Sequence, residues 1–407
     1  MCHLTDQQRL LAEQAQEKVC PYAEDIDLNG YIHEPEHDQV PTYDKLLADE
    51  RETLVKAGFD VDDHDRAASF LQVNHEIGHC SRQTEGVEVM PMRQALEKYD
   101  GLPEYWWQAV KLDADKYTAK VALDFDNGYF IRALAGTKTQ LPVQACLFMN
   151  SEKVLQNVHN IIVVEEGAEL EIISGCATSH QLKQGLHLGV SELYIKKNAR
   201  LSFTMIHHWG EEVMTRPRTV VQVEEGGTYI SNYISMKKVR SLQMYPTAYL
   251  RGRGATARFN SIVAAPSGSH LDMGSRVVLS YPECKAEVIS RTVSFGGDII
   301  ARGHLIGEDP SVKAHLECHG LMLRKHGLIH AIPELEGRVS GVEMSHEAAV
   351  GKIAQEEVEY LMARGLSEEE ATSTIVRGFL NVAIEGLPAS LQKDLDELMA
   401  KSDEGGM

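Results

Sequence analysis

Apolar and polar residues alternate with two different periods along the 407-residue chain, and the period changes twice. Over residues 1–115 apolar side chains recur every three or four positions, as in LTDQQRLLAEQAQEK, TYDKLLADERETLVKAG and PMRQALEKYDG. That spacing puts them on one face of a helix. Gly58 and Gly101 stand where such helices would stop. The stretch CPYAEDIDLNGYIHEPEHDQVP has no period and reads as loop. From 116 to 345 the period shortens to two, in NIIVVEEGAELEIISG, SELYIKKNARLSFTMIHHW, TVVQVEEGGTYISNYISM and AYLRGRGATARFNSIVAA. Short runs of Val, Ile, Tyr and Thr alternating with polar residues predict half-buried strands. From 346 to 407 the helical period returns in AAVGKIAQEEVEYLMARG, SEEEATSTIVRGFLNVAIEGL and PASLQKDLDELMAK. Ser367 and Glu370 fit a capping box, Gly365 ends the preceding helix, and the tail SDEGGM reads as frayed.

The strand region also repeats. EEGAEL, KKNARL, EEGGTY and GRGATA centre on Gly167, Asn198, Gly226 and Gly254, at successive intervals of 31, 28 and 28 along the chain. Gly or Asn at one place in every turn suits a backbone of positive φ. A period near 28 predicts a stacked solenoid, with a sandwich of similar hairpins as the alternative. In a solenoid, residues one period apart stack about 4.8 Å apart. Cys146 and Cys176 are 30 apart and Cys318 and His346 are 28 apart, so each pair is a candidate neighbour.

Composition narrows the chemistry. A formal charge of −20 argues against a phosphate-backbone ligand, so nucleic acid is not an expected partner. No run approaches the ~18 apolar residues of a membrane helix, and MCHLTDQQRLLAEQ lacks the order of a signal peptide; a cytoplasmic protein without a membrane span is expected. Seven cysteines, odd in number and without a CxxC, fit neither a disulfide framework nor a local zinc or ferredoxin motif. Any metal site must gather distant segments or two chains. The richest stretch is LECHGLMLRKHGLIHAIPELEGRVSGVEMSHE, with Cys318, His319, His326, His330, His346 and Glu347. Thiolate, imidazole and carboxylate together suit iron or zinc. His207, His208 and Trp209 read as surface imidazoles beside an aromatic, and His79 and Cys80 carry no specific signal. GxGxxG after a strand, GxxxxGK[ST] and GxSxG are all absent, so nucleotide hydrolysis and a serine nucleophile have no support.

From about residue 85 to 385 the chain resembles the SufB/SufD family of iron–sulphur assembly proteins. The resemblance rests on EGVEVMPMRQALEKY, IIVVEEGAELEIISGC, LHLGVSELYIKKNARL with HHWG, and MYPTAYLRGRGATA. Its strongest part is SHEAAVGKIAQEEVEYLMARGLSEEEATSTIVRGFL. Positions 1–80 show no counterpart. The resemblance implies a mainly β protein, a right-handed parallel β-helix core (116–345) flanked by a helical N-terminal region (1–115) and a C-terminal helical domain (346–407). That last domain would bind a SufC-like ABC-type ATPase subunit, with Ile353, Val358, Leu361, Ile375 and Phe379 packing the bundle or meeting the partner.

The implied function is a non-catalytic scaffold, a homodimer through the end of the β-helix, which holds a nascent [4Fe–4S] cluster for client apo proteins and binds no nucleotide itself. Cys176 matches the family's sulphur-accepting cysteine. His346 matches its cluster-site histidine, Glu347 the SufB-type glutamate beside it and Cys318 the cysteine of its QCD stretch, and these three are the expected metal ligands. The cysteine expected just before LIHAIP is replaced by Gly327, with His326 beside it as an outer metal candidate. That departure keeps a second reading open, a SufD-like structural subunit that binds no cluster. A secreted β-helix lyase is disfavoured, because such enzymes carry leaders and grooves of clustered catalytic groups.

Overall fold

The computed structural model describes residues 4–32, 46–60, 62 and 64–380. In chain order come α1 (Asp6–Gln14), α2 (Ala48–Lys56), β1 (Ala68–Val73), β2 (Glu76–Arg82), β3 (Val87–Pro91), α3 (Met92–Lys98), α4 (Lys116–Asp124) and β4 (Tyr129–Ala133). Next are β5 (Val143–Met149), β6 (Val154–Val164), β7 (Glu169–Thr178), β8 (Gln184–Ile195), β9 (Arg200–His208), β10 (Glu212–Thr215), β11 (Arg218–Val223) and β12 (Thr228–Ser235). The last strands are β13 (Ser241–Met244), β14 (Thr247–Leu250), β15 (Thr256–Pro266), β16 (His270–Leu279), β17 (Lys285–Phe295), β18 (Asp298–Gly307), β19 (Lys313–Met322), β20 (Leu328–Gly337) and β21 (Glu343–Gly351). Helices α5 (Gln355–Met362) and α6 (Glu368–Leu380) follow.

The strands wind into a parallel β-solenoid of about eight turns, with helices at both ends of the chain. One sheet stacks β1, β5, β7, β9, β12, β15, β17, β19 and β21; the other stacks β4, β6, β8, β11, β14, β16, β18 and β20. Parallel register turns each inward position into a ladder. Leu170, Leu201, Tyr229, Ala257, Ala286 and Ala314 succeed one another across six rungs and all lie in the interior core. Burying one such leucine contributes about 1.5–3 kcal/mol, and the stack multiplies that gain along the axis.

The repeated turns have the predicted backbone. Gly167, Asn198, Gly226 and Gly254 have φ of 68°, 55°, 64° and 69°. Each donates its N–H across one rung, to the carbonyl of Lys197, Glu225, Arg253 and Pro282 respectively, at 2.9 Å. The turn residue therefore both reverses the chain and binds the next turn. Helices α1, α2 and α3 appear where the periodicity placed them, and Gly58 (φ 84°) ends α2. Gly101 does not end α3, which already stops at Tyr99 in an extended conformation.

The texture boundaries shift. Strands β1–β3 lie inside the stretch read as helical, because β1 is buried on both faces and shows no alternation. Helix α4 lies inside the stretch read as strand, and β21 runs on to Gly351. The third C-terminal helix and the tail fall outside the described residues. The N-terminal segment is clamped to the solenoid by the buried carboxylate of Glu192, which accepts from the N–H groups of Trp107 (2.7 Å) and Val110 (2.9 Å) and shares a 2.9 Å bond with His159.

Candidate functional site

The two ends of the solenoid differ. At the N-terminal end β2 and β3 run antiparallel to their neighbours β1 and β4. At the other end, among the described residues, β20 pairs only with β18, and β21 only with β19. Their free edges carry Leu328, Leu335 and Val350, exposed by 51, 36 and 44%.

Cys318 is buried in the interior core, one rung from this end. Its register partner on β21 is Ala348, and His346 sits opposite Leu316. Cys318 and His346 thus share the inward face but are offset by two positions, because this rung, which pairs Lys313 with Glu343, is longer than the period read from the turns. Cross-strand diagonals of that kind lie about 7–8 Å apart. His346 is exposed, since among the described residues no further rung covers it. Burial, and then Glu317 beside it, pushes the Cys318 thiol up to about 11.

Glu347 faces the other way. It pairs with Glu317 on the outer surface, where its carboxylate lies 3.6 Å from His319. His326 is not brought to Cys318. It stands at the corner beyond the end of β19, over Gly296, about 20 Å further along the strand direction. Among the described residues no three His, Cys, Asp or Glu side chains converge on a metal-sized site.

Cys176 lies inside the solenoid, 2% exposed, and burial pushes its thiol up to about 12. Its register partner on β9 is His207. Cys146 pairs with Gly175 and so takes the opposite face, in a separate cluster under α2. The spacing of the two cysteines missed this rung's true period by one position, and a slip of one reverses the face.

His207, His208 and Trp209 are not surface groups: they are 3, 6 and 4% exposed. His207 Nδ1 shares a 2.8 Å hydrogen bond with the Tyr233 hydroxyl, and His187 Nδ1 shares one of 2.9 Å with Gln156. Burial lowers both imidazoles to about 3, so each is neutral at pH 7. A buried polar cluster of His187, His207, Tyr233 and Trp209 therefore adjoins the Cys176 rung. Sequence inspection missed it, although Gln156 and His187 are spaced along the chain just as Gly167 and Asn198 are.

The C-terminal helices cover one outer face. Val376 and Leu380, with Ile353 and Phe379, pack on Ile206, Ile234, Ile262 and Val293 of the sheet. Val358 is buried, whereas Leu361 and Ile375 line an open hollow of about 440 Å³ with Glu356, Glu357 and Tyr360. Tyr360 is 58% exposed.

Comparison with known proteins accounts for this architecture. A family model described as "SUF system FeS cluster assembly, SufBD core domain" matches residues 147–379, more than half of the chain. The chain belongs to the SufBD family. A SufBD family protein of Methanothermobacter thermautotrophicus (strain Winter) is 48% identical over 402 residues, covering 97% of this chain and 98% of the relative. One from Archaeoglobus fulgidus is 53% identical over 85% of this chain and 93% of its own length. SufB of Bacillus subtilis is 28% identical over 91 and 80%. This SufBD protein therefore serves iron–sulphur cluster assembly. The 97% coverage also takes in most of positions 1–80, for which motif matching found no counterpart. No described helix of this SufBD chain is long and apolar enough to cross a membrane.

Proposed function

We propose that this SufBD protein is a scaffold without turnover of its own, on which a nascent [4Fe–4S] cluster is assembled between two copies of the chain. The observation that carries the reading is the unfinished end of the solenoid. Two free strand edges with exposed Leu328, Leu335 and Val350 stand beside the exposed His346 and the nearby Cys318. An isologous contact there doubles every ligand. Two Cys318 thiolates with two His346 imidazoles supply the four ligands such a cluster takes. Both Cys318 and Cys176 are thiols at neutral pH in the free chain, so loading requires a proton acceptor or opening of the end rung. Cys176, beside the neutral His207, is the sulphur-handling thiol. An ABC-type ATPase subunit docks on α5 and α6 at the hollow around Tyr360, and client apo proteins receive the cluster.

A test is anaerobic reconstitution of the Cys318→Ala protein. Most iron and sulphide should be lost while the native dimer mass is kept. Wild-type filling would overturn the assignment. The second reading, a SufD-like subunit that binds no cluster, is favoured by the opposite facing of His346 and Glu347. It predicts no iron in the wild-type dimer.

A further inference from the structure

A second feature lies away from the solenoid end, along the corner where strands of the first sheet turn toward the second. A groove of about 850 Å³ crosses the turns after β7, β9, β12, β15, β17 and β19. Five inter-strand spacings make it about 24 Å long, the reach of an extended peptide of about eight residues. Its charged lining is Lys183, Lys237, Lys238 and Arg324 against Glu211 and Glu212. Both glutamates already have partners: Glu211 pairs with Lys238 at 3.0 Å and Glu212 with Arg240 at 3.8 Å. Lys183 and Arg324 have no ion pair among the described residues. In a chain of charge −20, where many cations along the turns sit one rung from a carboxylate, such as Lys196 on Glu224 and Lys197 on Glu225, two cations without an ion pair leave this groove a surplus of positive charge.

We propose that this groove binds an extended acidic segment of a partner protein. The assignment goes beyond the scaffold reading and does not depend on it. Surplus positive charge selects carboxylates. Lys183 stands two rungs from Lys237 and three further rungs separate that from Arg324. Those gaps of about 10 and 14 Å are bridged by about three and four extended residues. A nucleic-acid strand fits less well. The large aromatic lining residues, Trp209 and Phe295, are 4 and 7% exposed and offer no stacking face. The whole-chain charge also repels a polyphosphate backbone.

The test uses the full chain and a fluorescein-labelled octapeptide with glutamate at its first, fourth and eighth positions and serine and glycine elsewhere, followed by anisotropy at low ionic strength. The peptide should bind about tenfold more tightly than its glutamine counterpart, and Lys183→Glu with Arg324→Glu should weaken it by about tenfold or more. Lys138→Glu, at an exposed ion pair outside the groove, should leave binding unchanged. If the double charge reversal does not fold, Lys183→Gln with Arg324→Gln carries the same test. Equal binding of the two peptides, or full binding by a folded double variant, overturns the proposal. Displacement by pyrophosphate or a single-stranded oligonucleotide at peptide concentrations overturns the peptide assignment. So does a tenfold gain in affinity on removing residues 381–407, which would make the chain's own tail the occupant.

Discussion

His187 and His207 show what burial does to a single group. Desolvation lowers each from about 6.5 to about 3, so the unfolded chain binds protons that the folded chain refuses. Their stabilising contribution is whole above pH 6.5 and is lost as the pH falls toward 3. The slope reaches about 1.4 kcal/mol per pH unit for each histidine. Urea unfolding at pH 7, 6 and 5 should show stability falling over that range, with a shallower fall in His207→Gln. An unchanged slope would mean that His207 is not buried neutral. Gly175 is constrained by space. A Cβ there would lie 2.5 Å from the carbonyl oxygen of Ala57 at the end of α2. Gly175→Ala should therefore cost about 1–3 kcal/mol, by forcing α2 off the sheet. A thermal melt equal to wild type would show that α2 yields freely.

Helices α5 and α6 divide their residues between a face packed on the sheet and an open one, where the proposed partner would dock. Ser367 accepts from the Glu370 N–H at 3.2 Å, and Glu370 accepts from the Ser367 N–H at 2.8 Å. The capping box read in the sequence is thus formed, and Ser367→Ala should cost about 1 kcal/mol, measurable by urea denaturation. Of the five residues assigned to the partner, Ile353, Val358 and Phe379 are used in packing, which leaves Leu361 and Ile375 at the hollow. Deleting the helices would uncover Ile206, Ile234 and Val293, so it would confound docking with misfolding. Substitution is cleaner. Tyr360→Ala with Leu361→Asp should abolish co-purification of the ATPase subunit at unchanged melting temperature. Retained co-purification would move the docking site elsewhere.

At the scale of the whole molecule, the asymmetry of the ends matters most. Free parallel edges with exposed apolar side chains invite pairing with another chain, and a soluble protein otherwise blunts them. If the proposed dimer forms through this end, Leu328→Asp with Val350→Asp should leave a monomer by native mass and remove cluster loading with it. A dimer that survives these changes would place the contact on another surface. Loss of loading from a monomer that keeps Cys318 and His346 would separate the need for two chains from the need for any one ligand.

The alternation of two, with the regular recurrence of Gly or Asn turns, pointed to a solenoid ahead of a sandwich of similar hairpins. The turn residue must adopt positive φ and also bind the next turn, so its identity is written into every rung. Helical ends and the capping box were legible for the same reason, because they are local. Strand β1 was not, since burial on both faces erases alternation. Nor was α4, although Asp115 accepts from Thr118 in a local cap that the sequence carries. The chemistry depended on tertiary structure to a finer degree. Whether Cys146 and Cys176 share a face turns on a single position of loop length, and only folding reveals that count. It set Cys176 beside His207 and Cys146 behind it, and put His346 and Glu347 on opposite faces of the last strand. Burial of the HHW segment was equally invisible, because nothing in three residues tells which wall of the solenoid they line.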